Sequence, residues 1–237
     1  MSALARMLLV TTVAVAALAV AAAGLAGPSA PPAAARDLAL TYFSTGLTRA
    51  EVVTVGPRAE HDYHIDEGKI VAIRAGSIDL LERDGTRQTI AVSARGRVAG
   101  RAVGVLFRGT RVVTVRDNGG AATQIRPSAQ AWIIGKAYFG AAFVRAEVLF
   151  YQGATAHDYR IDEGRIIAVK PSASLTLLER DGTRQAIPIS PNTLVSANGQ
   201  PLDQSALVKG QTAVAIRDGD GPASQILLSN SIVVGRR

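Results

Sequence analysis

Polar and apolar residues alternate along much of the chain. In Ser174-Leu175-Thr176-Leu177 and in Gln185-Ala186-Ile187-Pro188-Ile189, apolar side chains recur at every second position. Because successive side chains of a strand point to opposite faces of the sheet, this period of two predicts half-buried β-strands. Asp181-Gly182 lies between the two runs, and this dipeptide predicts a type I′ hairpin turn.

The alternation predicts two more hairpins and very little helix. One joins residues 157–161 to 165–169 through Asp162-Glu163-Gly164, where glycine suits the left-handed position of a three-residue loop. Another turns at Asp218-Gly219-Asp220-Gly221. Only residues 204–208 have a helical pattern, which is enough for about one turn. The pattern therefore predicts an all-β protein.

Two segments of the sequence occur twice. Residues 80–88, which read Leu-Leu-Glu-Arg-Asp-Gly-Thr-Arg-Gln, return unchanged at 177–185, and residues 61–68 return at 157–164 with one change. The spacing between matching residues is 96 at first and grows to 101 towards the end, which predicts small loop insertions in the second copy. A repeat of roughly a hundred residues is long enough to form a domain.

The ends of the two copies also match. Residues 132–136 are echoed at 232–236, so the boundary lies near Lys136. We therefore predict one domain over residues 37–136 and a second over 137–237. Each holds about six or seven short strands separated by turn residues, a pattern typical of a small barrel or sandwich.

One order of apolar and glycine residues, clearest in the second copy, carries a family resemblance. It consists of Gly164-x-Ile166-x-Ala168-Val169, Leu175-x-Leu177, Asp181-Gly182, Ile187-x-Ile189, Leu207, Gly210, Ala215 and Ala223-x-x-Ile226. This order resembles a family of uncharacterised bacterial exported domains with an OB-like β-barrel. The resemblance implies two tandem small OB-like barrels of about six strands each, and it implies no catalytic residues. The first copy departs from the pattern between Arg95 and Phe107.

The amino terminus predicts export. Arg6 precedes an apolar stretch, residues 7–26, which ends in small residues placed for cleavage after Ala26. The same stretch is just long enough to remain as an uncleaved membrane anchor, although its alanine-rich composition favours cleavage. Residues 27–36 are rich in proline and alanine and predict a linker. The protein is therefore expected to be secreted or associated with the cell envelope.

The chain has no cysteine, which excludes a lipoprotein anchor, disulfides and thiolate metal sites. Its formal net charge is +7, and most of the excess lies in the first copy, where residues 37–136 hold 14 basic and 10 acidic side chains. Between Asp84 and Asp117 there is no acid at all. The arginines of this span are Arg87, Arg95, Arg97, Arg101, Arg108, Arg111 and Arg116.

These arginines predict a surface that binds polyanions, because guanidinium groups match phosphate and carboxylate groups. Outside the cytoplasm the partners would be acidic wall polymers, acidic polysaccharide or lipid head groups. Nucleic acid is not expected, since OB-type binders stack bases on aromatic rings and the span holds only Phe107. The alternative interpretation is that the arginines merely solubilise strands and loops.

The repeated segment that contains histidine, residues 61–68, is a candidate metal site. Strand alternation places Asp62, His64 and Asp66 on one face, where oxygen and nitrogen ligands for a divalent ion would meet. The second copy has Arg160 at the position of His64, which favours a ladder of charges over a metal site. We therefore expect no metal. On the opposite face, His61 and His157 are expected to lie at a core edge with a ring nitrogen hydrogen-bonded.

The sequence contains no Gly-x-Ser-x-Gly elbow, no His-Glu-x-x-His motif, no phosphate loop and no dinucleotide fingerprint. Asp218-Gly219-Asp220-Gly221 resembles the start of a calcium loop, but Pro222 and Ser229 stand where an EF-hand needs oxygen ligands. We therefore expect a non-enzymatic binding or scaffolding module without a cofactor. Two alternatives remain, a structural spacer that self-associates and a carboxylate-based hydrolase of envelope polymers. The candidate carboxylates for the hydrolase are Glu51, Glu82, Glu147 and Glu179.

Overall fold

A computed structural model describes residues 32–98, 101–102, 106–140 and 142–229. The predicted leader, residues 1–26, lies outside them. The first copy contains α1 (Pro32–Tyr42), β1 (Leu47–Val55), β2 (Glu60–Arg74), β3 (Ser77–Leu81), β4 (Arg87–Val98), β5 (Arg101–Ala102), β6 (Arg111–Asp117) and β7 (Ala122–Pro127). The second contains α2 (Ala131–Tyr138), β8 (Phe143–Gln152), β9 (Thr155–Lys170), β10 (Ser174–Glu179), β11 (Arg184–Pro188), β12 (Leu194–Ala197), β13 (Gln200–Leu202), β14 (Thr212–Asp218) and β15 (Gln225–Leu228).

The strands form one large mixed sheet, which confirms the predicted all-β class. The two copies share this sheet, because β1 pairs with β8 antiparallel to it. In that pairing Glu51 lies opposite Glu147, its own counterpart in the repeat. The pairs on either side, Ala50 with Val148 and Val52 with Ala146, are related in the same way. The copies are therefore arranged about an approximate two-fold axis between β1 and β8.

The remaining pairings repeat in both halves. In the first half β2 pairs with β3, β3 with β4, β4 with β7 in parallel, β7 with β6, and β6 with β2. In the second half β9 pairs with β10 and β14, β10 with β11, β14 with β15, and β15 with β12 in parallel. The counterpart of β4 is thus interrupted, and the extra residues of the second copy lie in the small hairpin of β12 and β13, which is four residues longer than the hairpin of β4 and β5.

The core has a shared centre and one part in each half. The central cluster includes Val52 and Ile65 from the first copy and Val148 and Ile161 from the second, packed beneath α1 and α2. A separate apolar cluster lies within each half. One face of the central strands is therefore covered by helices, and the other face carries charged side chains. Among the described residues no helix is long and apolar enough to span a bilayer.

The two helices were not predicted. Helix α1 begins at Pro32, inside the segment predicted as a linker, and proline is favoured in the first turn because no hydrogen bond needs its missing N–H. Its residue Ala35 is buried, so the end of that segment contributes to the core. Helix α2 spans the predicted boundary at Lys136 and occupies the same place in the second copy as α1 in the first.

The hairpin predicted at Asp162-Glu163-Gly164 is wrong, because β9 runs through these residues without a break. Gly164 pairs with β14 on one side and with β10 on the other. A Cβ atom at Gly164 would lie 2.8 Å from the carbonyl oxygen of Leu178, so glycine is present for the close approach of a neighbouring strand. β2 passes through Gly68 in the same manner.

The turn at Asp181-Gly182 does form a hairpin, but not of type I′. Only Gly182 has a left-handed backbone there, with φ of 91°, whereas type I′ needs two such residues. The N–H of Gly182 donates to the carbonyl of Glu179 at 3.1 Å, and the N–H of Glu179 donates to the carbonyl of Thr183 at 2.8 Å, which closes a three-residue loop. The third predicted hairpin is confirmed by the pairing of β14 with β15. The predicted helical turn is a short 3-10 helix, Gln204–Ala206.

Candidate functional site

The tertiary structure neutralises part of the acid-free arginine run. Arg116 contacts Asp66 at 2.9 Å, and Arg111 contacts Glu67 at 3.0 Å. Both acids lie on β2, and both are buried. Arg116 is therefore held in a structural ion pair, whereas Arg111 keeps 47% of its side chain exposed and remains available at the surface.

The other arginines of the run are distributed over β4, β5 and the loop before β6. Arg87 begins β4 and is exposed, and Arg108 is exposed in the loop before β6. The side chains of Arg95, Arg97 and Arg101 lie outside the described part of the structure, although their backbones belong to β4 and β5.

Strand register brings three basic residues of the first copy into one row. Arg111 on β6 lies opposite Lys69 on β2, Lys69 opposite Leu81 on β3, and Leu81 opposite Arg87 on β4. Cross-strand partners project from the same face of a sheet, so these side chains share one surface. We call Lys69, Arg87 and Arg111 the basic row.

A short loop adds a further cation and an exposed ring beside this row. The N–H of Gly109 donates to the carbonyl of Ile70 at 2.8 Å, which fixes Arg108 next to Lys69. Phe107, immediately before it, is 66% exposed. The loop therefore presents an apolar and a cationic side chain together at the edge of the basic row.

The second copy preserves much of this arrangement. Arg165 on β9 lies opposite Leu178, and Leu178 opposite Arg184, so the cations of Lys69 and Arg87 recur. Exposed Lys209 stands at the place of Arg108, whereas Thr212 replaces Arg111. Lys69 and Arg165 were missed in the sequence because neither lies within the acid-free span. Each follows the repeated glycine of its copy, and that coincidence would have revealed them.

A second row of charged residues crosses the two-fold axis on the face that the helices leave uncovered. His64 lies opposite Glu51, Glu51 opposite Glu147, and Glu147 opposite Arg160. Arg116 and Arg217 extend it at its two ends. We call these six residues the central row.

The predicted Asp62, His64 and Asp66 set does not come together as a unit, because Asp66 pairs with Arg116. Glu51 from β1 takes its place, and ligand atoms of Glu51, Asp62 and His64 lie within 4.8 Å of one another. In the second copy Arg160 contacts Glu147 at 3.6 Å and Asp220 at 2.5 Å. That strand carries the predicted ladder of charges, but Asp162 within it is buried against Arg217 and is not exposed.

The prediction for the remaining two histidines is confirmed. Nδ1 of His61 lies 2.9 Å from Asp117, and Nδ1 of His157 lies 2.6 Å from Asp218. Each imidazole also stacks on the tyrosine two residues later, with nearly parallel rings. Both rings are thus fixed at an edge of the central core.

The four candidate carboxylates fall into two kinds. Glu82 and Glu179 are buried beside Arg49 and Arg145, and burial raises the pKa of each to about 7. The other two, in the central row, are exposed. A cavity of about 700 Å³ between α1 and the strands β12, β14 and β15 is lined by none of the four. This cavity therefore does not bring the hydrolase candidates together.

In the comparisons with known proteins, no protein-family model and no curated protein matches this chain.

Proposed function

We propose that the protein is an exported, non-enzymatic scaffolding module that binds polyanions through its basic row. The observation that carries the proposal is the register of β6, β2, β3 and β4, which aligns Arg111, Lys69 and Arg87 on one face. Such a row attracts a flexible polyanion because each cation adds a charge-assisted contact.

We further propose that each half is an OB-like barrel. The closed cycle of pairings β2, β3, β4, β7, β6 and back to β2 supports a barrel in the first half. The parallel pairing of β4 with β7 and the shared order of the second half support the same topology twice. The basic row then crosses four strands of such a barrel.

The approximate two-fold axis favours a bridging role. β2 and β9 run in opposite directions, because three successive antiparallel pairings separate them. Lys69 and Arg165 each lie five residues beyond the central row, or about 16 Å of strand in opposite directions. One molecule thus presents cations at both ends and can hold two polymer segments.

The partner class is an acidic wall polymer, acidic polysaccharide or anionic lipid head group. Phosphate and carboxylate groups match the guanidinium groups of Arg87, Arg108 and Arg111. A single exposed ring, Phe107, beside the row gives little aromatic surface for stacking successive bases, so nucleic acid is not the expected ligand.

Retention on immobilised heparin tests the proposal. We expect the triple variant Lys69→Ala, Arg87→Ala and Arg108→Ala to elute at clearly lower salt than the wild type, because the contacts are electrostatic. All three residues are exposed, so the fold is expected to tolerate the changes.

A control variant that loses the same number of positive charges distinguishes binding at the basic row from retention caused by the net charge of the protein. Arg36, Arg58 and Lys136 are exposed outside the basic row, and changing all three to alanine should leave elution nearly unchanged. Equal shifts for the two triple variants would contradict a defined site. A separate variant with Arg95, Arg97 and Arg101 changed to alanine tests the remainder of the arginine run.

A further inference from the structure

His64 has a different environment from the other two histidines of the chain. Its Nε2 atom lies 3.4 Å from Asp62, and its Nδ1 atom lies 4.0 Å from Glu51. His61 and His157 instead bind their carboxylates directly, at 2.9 and 2.6 Å. Neighbouring ligands of a tetrahedral ion bound at about 2.1 Å lie about 3.4 Å apart. The separation of Nε2 from Asp62 matches that value, and one ligand atom from each of Glu51, Asp62 and His64 lies within 4.8 Å of the others.

The three side chains are placed by regular strand geometry. Glu51 lies directly opposite His64 on the adjacent strand, and Asp62 projects from the same face two residues before His64. Each of the three is partly exposed, so an ion and its remaining water ligands can reach them from solvent. One oxygen of Asp62, Oδ1, is buried without a hydrogen-bond partner among the described residues.

The second copy acts as an internal comparison. At the place of His64 it has Arg160, whose permanent charge lies beside Glu147. Arg160 also contacts Asp220, which has Gly119 as its counterpart in the first copy. In the second copy this position of the sheet therefore holds the permanent cation of Arg160. In the first copy the same position has an imidazole and two carboxylates, which can bind a cation.

The charge around Glu51 is unfavourable in the absence of a cation. Glu51 lies directly opposite Glu147 across the axis, and its carboxylate also lies within 4.8 Å of the ligand atoms of Asp62 and His64. The adjacent cation, Arg116, is already paired with Asp66. A bound divalent ion would offset the repulsion in the way that Arg160 does in the second copy.

We propose that Glu51, Asp62 and His64 form a binding site for a divalent first-row transition ion, with Zn²⁺ as the probe. One imidazole nitrogen and two carboxylate oxygens are ligands that such ions accept, and hard ions such as Mg²⁺ and Ca²⁺ favour oxygen ligands alone. This site is distinct from the basic row and independent of polyanion binding.

Isothermal titration of the purified full chain with ZnCl₂, without a polyhistidine tag, tests the proposal. We expect one equivalent of Zn²⁺ to bind to the wild type, and MgCl₂ to give no comparable binding. The key variant is His64→Arg, which installs the side chain of the second copy. It should lose zinc affinity by about tenfold or more and keep the melting temperature of the metal-free protein.

His157→Gln is the matched control, because it removes a histidine from the matching segment of the second copy and should leave zinc binding unchanged. Asp62→Asn, which keeps the shape of the side chain, should weaken binding as His64→Arg does. Failure of the wild type to bind Zn²⁺ at millimolar concentration would overturn the proposal. Unchanged zinc affinity in the folded His64→Arg variant would overturn it as well, since the ion would then bind elsewhere.

Discussion

At the scale of single residues, the segment that is identical in both copies, residues 80–88 and 177–185, forms one ion-pair cluster and one turn in each copy. Glu82 and Asp84 both accept hydrogen bonds from Arg49, at 2.5 and 2.6 Å. The second copy repeats this with Arg145, whose distances to Glu179 and Asp181 are 2.7 and 2.5 Å. Loss of the arginine would leave a buried carboxyl group without its hydrogen-bond partner, which is destabilising. These contacts explain why the two segments are identical, and no ligand common to both copies is needed to explain it.

The buried glutamates predict a pH dependence of stability. Burial raises the pKa of Glu82 and Glu179 to about 7, so between their unfolded pKa of 4.5 and pH 7 the folded state binds more protons. Their contribution to stability is therefore complete below pH 4.5 and is lost as the pH rises through 7. A pKa difference of one unit corresponds to about 1.4 kcal/mol.

The double variant Glu82→Gln and Glu179→Gln removes these two titrations. Urea unfolding from pH 4.5 to 8 should show a smaller decline in the free energy of unfolding than in the wild type. Leu40→Ala and Val208→Ala change two exposed residues without a charge and should leave the wild-type pH slope intact. An unaltered slope in the glutamine variant would contradict the prediction.

Residue chemistry also limits what the arginine run reveals. Seven arginines without an acid between them predict a free cationic surface, yet Asp66 and Glu67 lie across the sheet from Arg116 and Arg111. Their separation in sequence is about 50 residues, so only strand pairing brings the charges together. Local composition predicted a basic face and could not identify which cations remain available.

At the scale of secondary-structure elements, the period of two correctly predicted strands but not their continuity. β2 and β9 are 15 and 16 residues long, and each passes through an acidic pair and a glycine that resemble a turn. The strands continue because Asp66, Glu67 and Asp162 are paired with arginines and because glycine admits a neighbouring carbonyl. Both reasons depend on contacts that are remote in sequence.

A substitution at the glycine of β2 tests the steric explanation. A Cβ atom at Gly68 would meet the carbonyl oxygen of Leu81 at 2.9 Å, a backbone atom that cannot move aside without disturbing two strands. We expect Gly68→Ala to lower the free energy of unfolding by about 1–3 kcal/mol. Denaturant titration measures the loss. Gly140→Ala is the control, because its nearest atom lies at 3.5 Å and the change should be close to neutral.

The helices were missed because each is short and lacks the usual sequence marks. α2 has only eight residues and contains Gly135, while α1 follows a proline-rich stretch that favours a linker. A Cβ atom at Gly135 would meet Phe43 at 2.7 Å, so the glycine permits tight packing of α2 on the first copy. Tertiary packing thus stabilises both helices, as is common for short ones.

At the scale of the whole molecule, the two copies are joined by equivalent strands. β1 and β8 pair so that Glu51 meets its counterpart Glu147, and the core beneath them draws side chains from both copies. Two copies of one fold therefore share a sheet and a hydrophobic core. This arrangement makes each copy dependent on the other for the burial of its edge strand.

The shared pairing predicts how an isolated copy behaves. Residues 131–237 alone would expose the edge of β8, and because β8 normally pairs with its own counterpart, a second molecule can supply the missing strand. We expect this fragment to form a dimer. Size-exclusion chromatography with light scattering, over a range of concentrations, measures the mass. A fragment that stays monomeric and folded at high concentration would contradict the prediction.

The sequence by itself determined the β class, the duplication, the basic character of the first copy and the hydrogen-bonded state of His61 and His157. These follow from the local alternation of polar and apolar residues, from the repeated segments and from the side chains that share a strand face. Tertiary structure alone decided the shared sheet, the pairing of Arg111 and Arg116 with buried acids, and the meeting of Glu51 with Asp62 and His64. Strand register sets each of these contacts, and register depends on packing of the whole sheet and not on any local run of residues.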